Sequence, residues 1–427
     1  MRTEVLKPLA GRRLLIGVSG SIAAVKTPQL VSALVKAGAD VRCLVTPSAA
    51  KLVSSLALAS LSRHRCYEEA DGWDSSCSRP LHIELAEWAE LVVLAPLSAS
   101  SLSRWSQGSA DGLLASVLLA CECPVLAAVA MNTAMWSHPA VQENWERVKR
   151  FPRVVPLHPA AGLLACDRVG DGRMADPEMI ELAAASVFSR GTPGPEAARD
   201  WSGQRLLVTA GPTVESIDAA RSLTNRSSGA MGVLLAQAAR LRGAEVDLVH
   251  GPLQVPVPWL DGLDCHPITS AAELEAALEQ LQPGADAVAM AAAVADLRRS
   301  NPVSLLKESK GMLMERFARG WELVPDLLAG LAARRTDGQV VLGFTALTGD
   351  DATLCRQGED KRRRKGCDLM FANPIDRVGQ GFSEPCNGGW LLAESGAVPL
   401  PLTSKLHLSH QLLDAVLGLR PSGPTSC

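Results

Sequence analysis

The stretch LLIGVSGSIAA, starting at Leu14, decides the fold class, and LLVTAGPT, starting at Leu206, repeats its pattern. Each stretch is an apolar run that ends in a tight glycine-containing turn and leads into a helical segment. This order of strand, turn and helix directs backbone N–H groups and a helix N-terminus toward an anion. Neither turn matches the G-x-G-x-x-G fingerprint, so we expect two active sites that bind phosphate in another way.

The first half of the chain alternates predicted strands and helices. LLIGVSG and VRCLVTP are apolar strands that flank the amphipathic helix TPQLVSALVKAGA. The pattern continues with a strand at 91–95, a helix at 111–120 and a strand at 125–129. These elements predict an open, doubly wound parallel sheet with ligands at the carboxyl ends of its strands.

The second half repeats this organisation after a segment rich in proline and glycine, GTPGPEAARDWSG. We predict a domain at 1–190, a linker at 191–203 and a domain at 204–427. The predicted elements of the second domain are strands at 206–210, VDLVHGP, AVAMAAAVAD and VVLGFTA, helices near 230–242, 271–281 and 324–334, and a hairpin in WLLAESGAVPLPL. The predicted fold class is therefore α/β, with two doubly wound Rossmann-like parallel-sheet domains.

Composition limits the classes of partner. Hydrophobic residues make up 47% of the 427 residues and the formal charge is -3, which gives no electrostatic reason to expect nucleic acid or an anionic membrane surface. The small-residue run at 125–131 is too short to span a bilayer, and MRTEVLKPLAGRR lacks the apolar core of a signal peptide. We therefore expect a cytoplasmic protein. Its eleven scattered cysteines are expected to be mostly reduced.

Three residues of the first half carry candidate chemistry. His82 precedes a short predicted helix, Asn132 follows a strand end, and Cys166 lies in the glycine-rich loop GLLACDRVGDGRM. Taken singly, such residues are more often a capping histidine, a turn-forming asparagine and an inert thiol. Together, on strand ends and a loop of one sheet, they predict a set that combines acid/base, amide and thiol groups.

The motifs of both halves resemble those of one bacterial family. GVSGSIAAVKTPQLV, HIELAEWAELVVLAP, AMNTAMW and GLLACDRVGDGRM resemble the flavin-dependent cysteine decarboxylases. TAGPTVESIDAARSLTNRSSGAMG, AAAVADLR, KESK, VPDLL, GFTALT, KRRRKGCDLMFAN and PLTSK resemble phosphopantothenate–cysteine ligases. The chain is thus similar, over nearly its whole length, to the bifunctional phosphopantothenoylcysteine decarboxylase / phosphopantothenate–cysteine ligase family of coenzyme A biosynthesis. That resemblance implies a flavodoxin-like FMN domain followed by a CTP-binding ligase domain.

For the first half, the resemblance implies that FMN oxidises the cysteine moiety of 4'-phosphopantothenoylcysteine to a thioaldehyde, which eases loss of the carboxylate. It implies that His82 assists the proton and hydride steps, that Asn132 holds the departing carboxylate and that Cys166 protonates the ene-thiol intermediate. The implied FMN contacts are Gly17, Ser19, Gly20, Ser21, Thr46, Pro96, Ser98, Ser100 and Ser101.

For the second half, the resemblance implies that CTP activates 4'-phosphopantothenate as an acyl-cytidylate, from which the amine of cysteine displaces CMP. Asn225 would stabilise this intermediate, Arg221 would help its turnover, and Lys307 would support its formation. The implied CTP-binding residues are Ala292, Ala293, Asp296, Lys307, Pro325, Asp326, Leu327, Leu328, Phe344, Lys361 and Lys365. Mg²⁺ would neutralise the phosphates, with protein ligands that the sequence does not identify.

Two departures from the family pattern keep an alternative open. Ala230 stands where the pattern has Lys, and Pro374 where it has Asp. Basic clusters such as KRRRK are, by themselves, most often solvated helix faces. The alternative is a decarboxylase whose second domain is a degenerate nucleotide-binding domain, and CTP-dependent ligation separates the two hypotheses.

Two further classes are less favoured by the sequence. Phosphatase-regulating relatives of the flavin fold carry long acidic tails, and this sequence has no such run. An NAD(P) oxidoreductase would need the fingerprint that is missing. The resemblance also implies a homo-oligomer, a dodecamer built from trimers through the flavin domain and dimers through the ligase domain.

Overall fold

The computed structural model describes residues 7–75, 78–163, 169–190, 199–300, 307 and 309–420. It divides into two compact units, here the first unit (7–200 with 257–262) and the second unit (201–256 with 263–420). Residues 191–198 of the predicted linker, and Cys166, lie outside the described residues. Among the described residues, no helix combines the length and the apolar character that crossing a membrane requires.

The first unit is a parallel sheet with helices between its strands. Its strands are β1 Arg13–Val18, β2 Asp40–Val45, β3 Cys66–Tyr67, β4 Leu91–Leu97, β5 Val125–Val129, β6 Val154–Leu157, β7 Ala160–Leu163 and β8 Val169–Arg173. Its helices are α1 Thr27–Lys36, α2 Ser55–Ser62, α3 Leu81–Trp88, α4 Ala99–Gln107, α5 Leu113–Ala120, α6 Thr133–Trp136, α7 Pro139–Lys149 and α8 Pro177–Ser189. The sheet order is β3-β2-β1-β4-β5-β6, and β7 and β8 form a separate antiparallel pair.

The strand order reverses between β1 and β4, and this reversal positions the first site. All pairs in the six-stranded sheet are parallel, so the turns after β1 and β4 leave the same edge side by side. The Ser19 hydroxyl joins these turns: Oγ donates to Pro96 O at 2.8 Å and accepts from Ser98 N at 2.7 Å. In open α/β sheets, ligands bind at such a switch point.

The second unit contains a larger mixed sheet. Its strands are β9 Arg205–Ala210, β10 Val214–Asp218, β11 Arg221–Thr224, β12 Glu245–His250, β13 Asp264–Pro267, β14 Ala287–Met290, β15 Leu297–Arg299, β16 Trp321–Leu323, β17 Val340–Leu347, β18 Leu369–Pro374, β19 Cys386–Ala393 and β20 Gly396–Ser404. Its helices are α9 Ala230–Leu241, α10 Ala271–Leu281, α11 Lys310–Ala318, α12 Leu327–Ala333, α13 Asp351–Lys365 and α14 Lys405–Leu419.

The main sheet of the second unit has the order β13-β12-β9-β14-β17-β18-β19-β20. Its pairs are parallel from β13 to β18, and β19 and β20 then add an antiparallel hairpin at the edge. The hairpin predicted in WLLAESGAVPLPL is therefore confirmed. So is the fold class of two Rossmann-like parallel-sheet domains.

One predicted strand is wrong in extent. The apolar run AVAMAAAVAD predicted a strand over 287–296, but β14 ends at Met290. The following residues leave the sheet and bond to the loop after β9: Ala293 N donates to Gly211 O at 2.9 Å, and Thr213 N donates to Ala293 O at 3.2 Å. The small apolar residues continue past the end of the strand because they line the second pocket, so composition does not mark where the strand ends.

A predicted helix also begins later than expected. The prediction was 324–334, whereas α12 begins at Leu327. The Asp326 carboxylate caps the helix by accepting from Ala329 N at 3.1 Å, and Pro325 precedes the cap. An N-cap aspartate fixes the first turn, because it satisfies a backbone donor that has no partner within the helix.

Candidate functional site

A first pocket of about 540 Å³ lies at the switch point of the first unit. It is bordered by the turns after β1, β4 and β5 and by the end of β8. Its lining residues are Gly20, Ser21, Ile22, Ala23, Val25, Lys26, Ser98, Ala99, Ser100, Ala130, Met131, Asn132, Met135, Gly172, Arg173 and Met174. The structure thus brings together Gly20, Ser21, Ser98, Ser100 and Asn132 from the predicted set.

The chemistry of this lining fits a flavin nucleotide. Ile22 and Val25 are each 56% exposed and Met135 is 48% exposed, and their grouping in one pocket is typical of an apolar surface that a ligand or partner covers. Serine hydroxyls and turn N–H groups stand beside these apolar walls, as a phosphorylated planar ring requires. A Cβ on Gly20 would lie 2.4 Å from Ser48 Cβ, so only glycine fits this turn.

Asn132 is the N-cap of α6 and lies three residues after the end of β5. Its Oδ1 accepts from Ala134 N at 2.9 Å, and Met131 N donates to Gly172 O at 3.0 Å. Gly172 has φ +153, and its Cβ would lie 2.3 Å from Met131 O. The β8 backbone therefore approaches the Asn132 turn as closely as a residue without a side chain permits.

The other predicted residues of the first half have supporting or separate positions. Gly17 lies within β1, Thr46 follows β2 and accepts from Ala49 N at 3.3 Å, and Pro96 follows a cis peptide bond in β4. Ser101 lies beside Ser98, with 3.4 Å between their hydroxyls. His82 lies in the first turn of α3 rather than before the helix, and it does not line the first pocket.

A second pocket of about 760 Å³ lies in the second unit, beyond the carboxyl ends of β9, β14, β17 and β18. It collects every predicted nucleotide-binding residue except Lys307. Those that line it are Ala292, Ala293, Asp296, Pro325, Asp326, Leu327, Leu328, Phe344, Lys361 and Lys365, together with Asn225.

Asn225 fixes the loop that forms one wall of the second pocket. Its Nδ2 donates to both Ala293 O and Val294 O, each at 3.0 Å. From the opposite side of the loop, Thr209 Oγ1 accepts from Ala292 N at 3.0 Å and Thr213 Oγ1 accepts from Ala295 N at 2.9 Å. The wall is therefore held by hydrogen bonds to its backbone, while its own side chains are small.

The cations of α13 form another wall. Lys361 Nζ donates to Thr345 Oγ1 at 2.9 Å, and Lys365 Nζ pairs with Asp326 Oδ1 at 3.1 Å. Burial, with the neighbouring charges of Lys365 and Arg364, lowers the pKa of Lys361. Burial and this clustering of like charge disfavour the ammonium form of Lys361 when no ligand is bound, and a bound polyanion would stabilise that form.

Two predicted catalytic residues do not line the second pocket. Arg221 begins β11 and pairs with the fully buried carboxylate of Asp218 at 2.7 Å. Lys307 is exposed. Their roles stay predictions that rest on the resemblance.

Comparison with known proteins agrees with this two-site arrangement. The family model described as "Flavoprotein" matches residues 2–187, and the model described as "DNA/pantothenate metabolism flavoprotein C-terminal domain" matches residues 201–419. The protein named "Coenzyme A biosynthesis bifunctional protein CoaBC" in Bacillus subtilis is 35% identical over 415 residues, covering 96% of this chain and 98% of that protein. The chain belongs to this family.

Proteins of the same name in other bacteria are similarly close. The one from Escherichia coli strain K12 is 36% identical over 420 residues, with coverage of 96% of this chain and 97% of the relative. The one from Mycobacterium tuberculosis strain H37Rv is 37% identical over 415 residues, with coverage of 95% and 96%.

Family membership confirms the predicted bifunctional enzyme of coenzyme A biosynthesis, with a decarboxylase activity and a ligase activity. It also confirms the prediction of a flavin cofactor, because the first half matches the flavoprotein family. The decarboxylase-only alternative is not favoured, since the similarity extends through the second half. Family membership likewise disfavours the hypotheses of a phosphatase-regulating subunit and of an NAD(P) oxidoreductase.

Sequence reasoning missed several polar residues of the second pocket. Thr345, Asn373, Asn387 and Lys405 also line it, and all four are buried. Lys405 lay within the quoted motif PLTSK, but nothing in that motif gave it a role. The available signal was a lysine placed directly after a serine N-cap at the start of an otherwise apolar helix.

Proposed function

We propose that the second unit joins 4'-phosphopantothenate to cysteine at the expense of CTP, and that the first unit decarboxylates the product with FMN to give 4'-phosphopantetheine. The observation that carries the proposal is the second pocket. Residues from four separate sequence motifs, each assigned to CTP by resemblance alone, line one cavity of about 760 Å³. A pocket of this size is large enough for a nucleotide and a second small substrate.

In the ligase reaction, the substrate carboxylate oxygen attacks the α-phosphorus of CTP and pyrophosphate leaves, which forms the acyl-cytidylate. The amine of cysteine then attacks the acyl carbon, loses a proton and displaces CMP. Lys361 and Lys365 would hold the phosphates by charge-assisted hydrogen bonds, and Asp296 would face the ribose or base. Pro325, Asp326, Leu327 and Leu328 would close on the nucleotide.

Asn225 would act at the intermediate. Its amide already holds the Ala293 and Val294 carbonyls, so it would keep that backbone in place beside the bound nucleotide. Arg221 would assist attack by cysteine, and Lys307 would support formation of the acyl-cytidylate, as the resemblance implies.

Mg²⁺ would accompany CTP. Among the described residues, no group of three or more His, Cys, Asp or Glu side chains could enclose a metal ion. Asp296 and Asp326 are the carboxylates that line the second pocket. This donor set suits an ion held mainly by the phosphates and water, with at most two protein carboxylates, which is the usual environment of Mg²⁺ in nucleotide sites.

In the decarboxylase reaction, FMN, when bound, would supply reversible hydride transfer: a hydride is taken from the substrate carbon that bears the thiol and is returned to the same carbon after CO₂ has left. Gly20, Ser21, Ser98 and Ser100 would hold its phosphate and polar edge, while Ile22, Val25 and Met135 exclude water from its ring. Asn132 would hold the substrate carboxylate. His82 would move a proton at the thiol, and Cys166 would return one to the ene-thiol carbon.

We also propose a cytoplasmic homo-oligomer, a dodecamer of trimers and dimers. The trimer is supported by the position of His82, which does not line the first pocket of its own chain. A neighbouring subunit could then supply this histidine to the Asn132 pocket.

The experiment incubates the purified full chain with 4'-phosphopantothenate, cysteine, CTP and Mg²⁺, and follows products by mass. We expect 4'-phosphopantetheine, CMP and pyrophosphate from a yellow protein. N132A should accumulate 4'-phosphopantothenoylcysteine, and K361M should block its formation while added 4'-phosphopantothenoylcysteine is still decarboxylated. Ligation supported equally by every nucleoside triphosphate, or a colourless protein that still decarboxylates, would contradict the proposal.

A further inference from the structure

Lys405 is a buried cation in the second pocket that none of the steps above uses. It is the first residue of α14 and is 3% exposed. Its Nζ donates to Phe382 O at 3.1 Å, and within the described residues no carboxylate pairs with it. An ammonium group has three N–H donors, and burying such a charge without a counter-anion is costly. Lys405 lines the cavity, and Phe382 O satisfies one of its three donors.

The turn that enters α9 reaches the hydrogen-bond partner of Lys405 through Ser228. Ser228 Oγ donates to the same Phe382 O at 3.2 Å, which places the hydroxyl and the ammonium around one carbonyl oxygen. Ser228 Oγ also accepts from Ala230 N at 3.4 Å. Asn387, in β19, is 5% exposed and also lines the second pocket.

These groups are separate from the cations of α13. Lys361 and Lys365 are held by Thr345 and by Asp326, on elements other than those that hold Lys405. The pocket therefore presents cationic groups from two parts of the fold. The ligase reaction of the proposed function involves two phosphorylated molecules, and each brings an anion into this pocket.

We propose that Lys405, with the Ser228 turn, forms a second anion-binding subsite that takes a phosphoryl group of a ligase substrate. The inference rests on the proposed function for the identity of the substrates. The phosphoryl group comes either from CTP or from the phosphate end of 4'-phosphopantothenate. In either case Lys405 supplies a cation close to the turn at which Ala230 replaces the Lys of the family pattern.

The electrostatics of Lys405 give the subsite a signature. Burial lowers the pKa of its ammonium to about 8, although the charges of Glu384 and Cys386 act in the opposite direction. A phosphoryl group placed beside Nζ favours the charged form and raises this pKa. Ligand binding near pH 8.5 must then take up a proton at Lys405.

The test compares the full-length wild-type enzyme with K405M and K405R, and with K36M as a matched Lys→Met change at an exposed position of α1. We expect K405M to raise the KM or Kd of one phosphorylated substrate about ten- to one-hundred-fold, as loss of a charge-assisted hydrogen bond predicts. K405R should retain most of the affinity, and K36M all of it. Flavin content and decarboxylation of added 4'-phosphopantothenoylcysteine should not change in any variant.

Separate titrations identify the source of the phosphoryl group. Weaker binding of CTP alone assigns the subsite to the nucleotide. Weaker binding of 4'-phosphopantothenate, with unchanged binding of unphosphorylated pantothenate, assigns it to the acyl substrate. Wild-type affinities of K405M for both phosphorylated compounds would overturn the inference.

Calorimetry of the ligand in buffers of different ionisation enthalpy at pH 8.5 provides an independent measurement. Wild type should take up a proton that K405R, whose guanidinium does not titrate, does not. Equal uptake in the two proteins would overturn the inference even if K405M did not fold. Absence of CTP-dependent ligation in wild type would contradict the proposed function, whereas these binding measurements would still decide the subsite.

Discussion

Replacing Asn225 tests whether the second pocket depends on the backbone wall that this side chain holds. The amide makes two neutral hydrogen bonds of 3.0 Å, to Ala293 O and Val294 O. Each such bond contributes about 0.5–1.5 kcal/mol, so their loss in N225A amounts to about 1–3 kcal/mol. Because Asn225 is exposed, we expect this cost to appear mainly as a roughly five- to 150-fold fall in ligase kcat/KM, and only weakly in the melting temperature.

Asn225→Asp is the informative companion. Its size is unchanged, but it replaces the donating NH₂ by an ionised oxygen that faces two carbonyl oxygens. N225D should therefore be a poorer ligase than N225A, although it is the smaller structural change. The assay is CTP-dependent formation of 4'-phosphopantothenoylcysteine, with flavin-dependent decarboxylation by the same preparation as the internal control. An N225D enzyme as active as wild type, or more active than N225A, would refute this reasoning.

Three further predictions concern other parts of the chain. Gly20→Ala places a Cβ 2.4 Å from Ser48 Cβ, and overpacking by about 1–3 kcal/mol should weaken flavin binding about five- to 150-fold. Gly72→Ala, whose Cβ would have its nearest contact at 3.5 Å, should leave flavin binding unchanged, and the flavin-to-protein absorbance ratio measures both. Lys405→Met should stabilise the ligand-free protein at pH 7 by about 1–3 kcal/mol, since it removes a buried charge. In wild type the pKa of Lys405 is about 8 in the folded protein and 10.5 in the unfolded chain, so the unfolded chain binds more protons between these two pH values. The stability of wild type relative to K405M should therefore rise with pH across that window, which thermal melts would measure. Cys121 should be alkylated before Cys123 at pH 7.5. The hydrogen bond between the two thiols, whose sulfurs are 3.1 Å apart, lowers the pKa of Cys121 and raises that of Cys123. Peptide mapping checks the order, and Cys123→Ala should slow the reaction of Cys121.

The elements most accessible from sequence were those with a clear period and a capping residue. The helix predicted at 271–281 matches α10 because Ser270 caps it and apolar residues repeat along one face. Strands β1, β5 and β9 were recognisable because strands buried on both faces are continuous apolar runs. Strand β14 shows the limit of this signal, because the alanine-rich loop that lines the second pocket has the same composition as a buried strand.

The two candidate sites also differ in how much of their residue set the sequence predicts. Gly20, Ser98 and Asn132 come together because each lies in the turn that follows a strand of one parallel sheet, which sequence order alone predicts. Lys405 reaches the second pocket from the start of the last helix, far along the chain from the other cations. Its position depends on how the β19–β20 hairpin returns the chain to the sheet, and local sequence carries no information about that path.

The wall made by residues 291–296 has a consequence for inhibition. The part of this loop that faces the pocket is built from Ala291, Ala292, Ala293, Val294 and Ala295, and its shape is set by hydrogen bonds to its main chain. Larger side chains there would occupy the substrate's own space, which restricts the viable substitutions. For a compound that binds through the main-chain groups of this loop, few point mutations would exclude the compound and still leave the enzyme active.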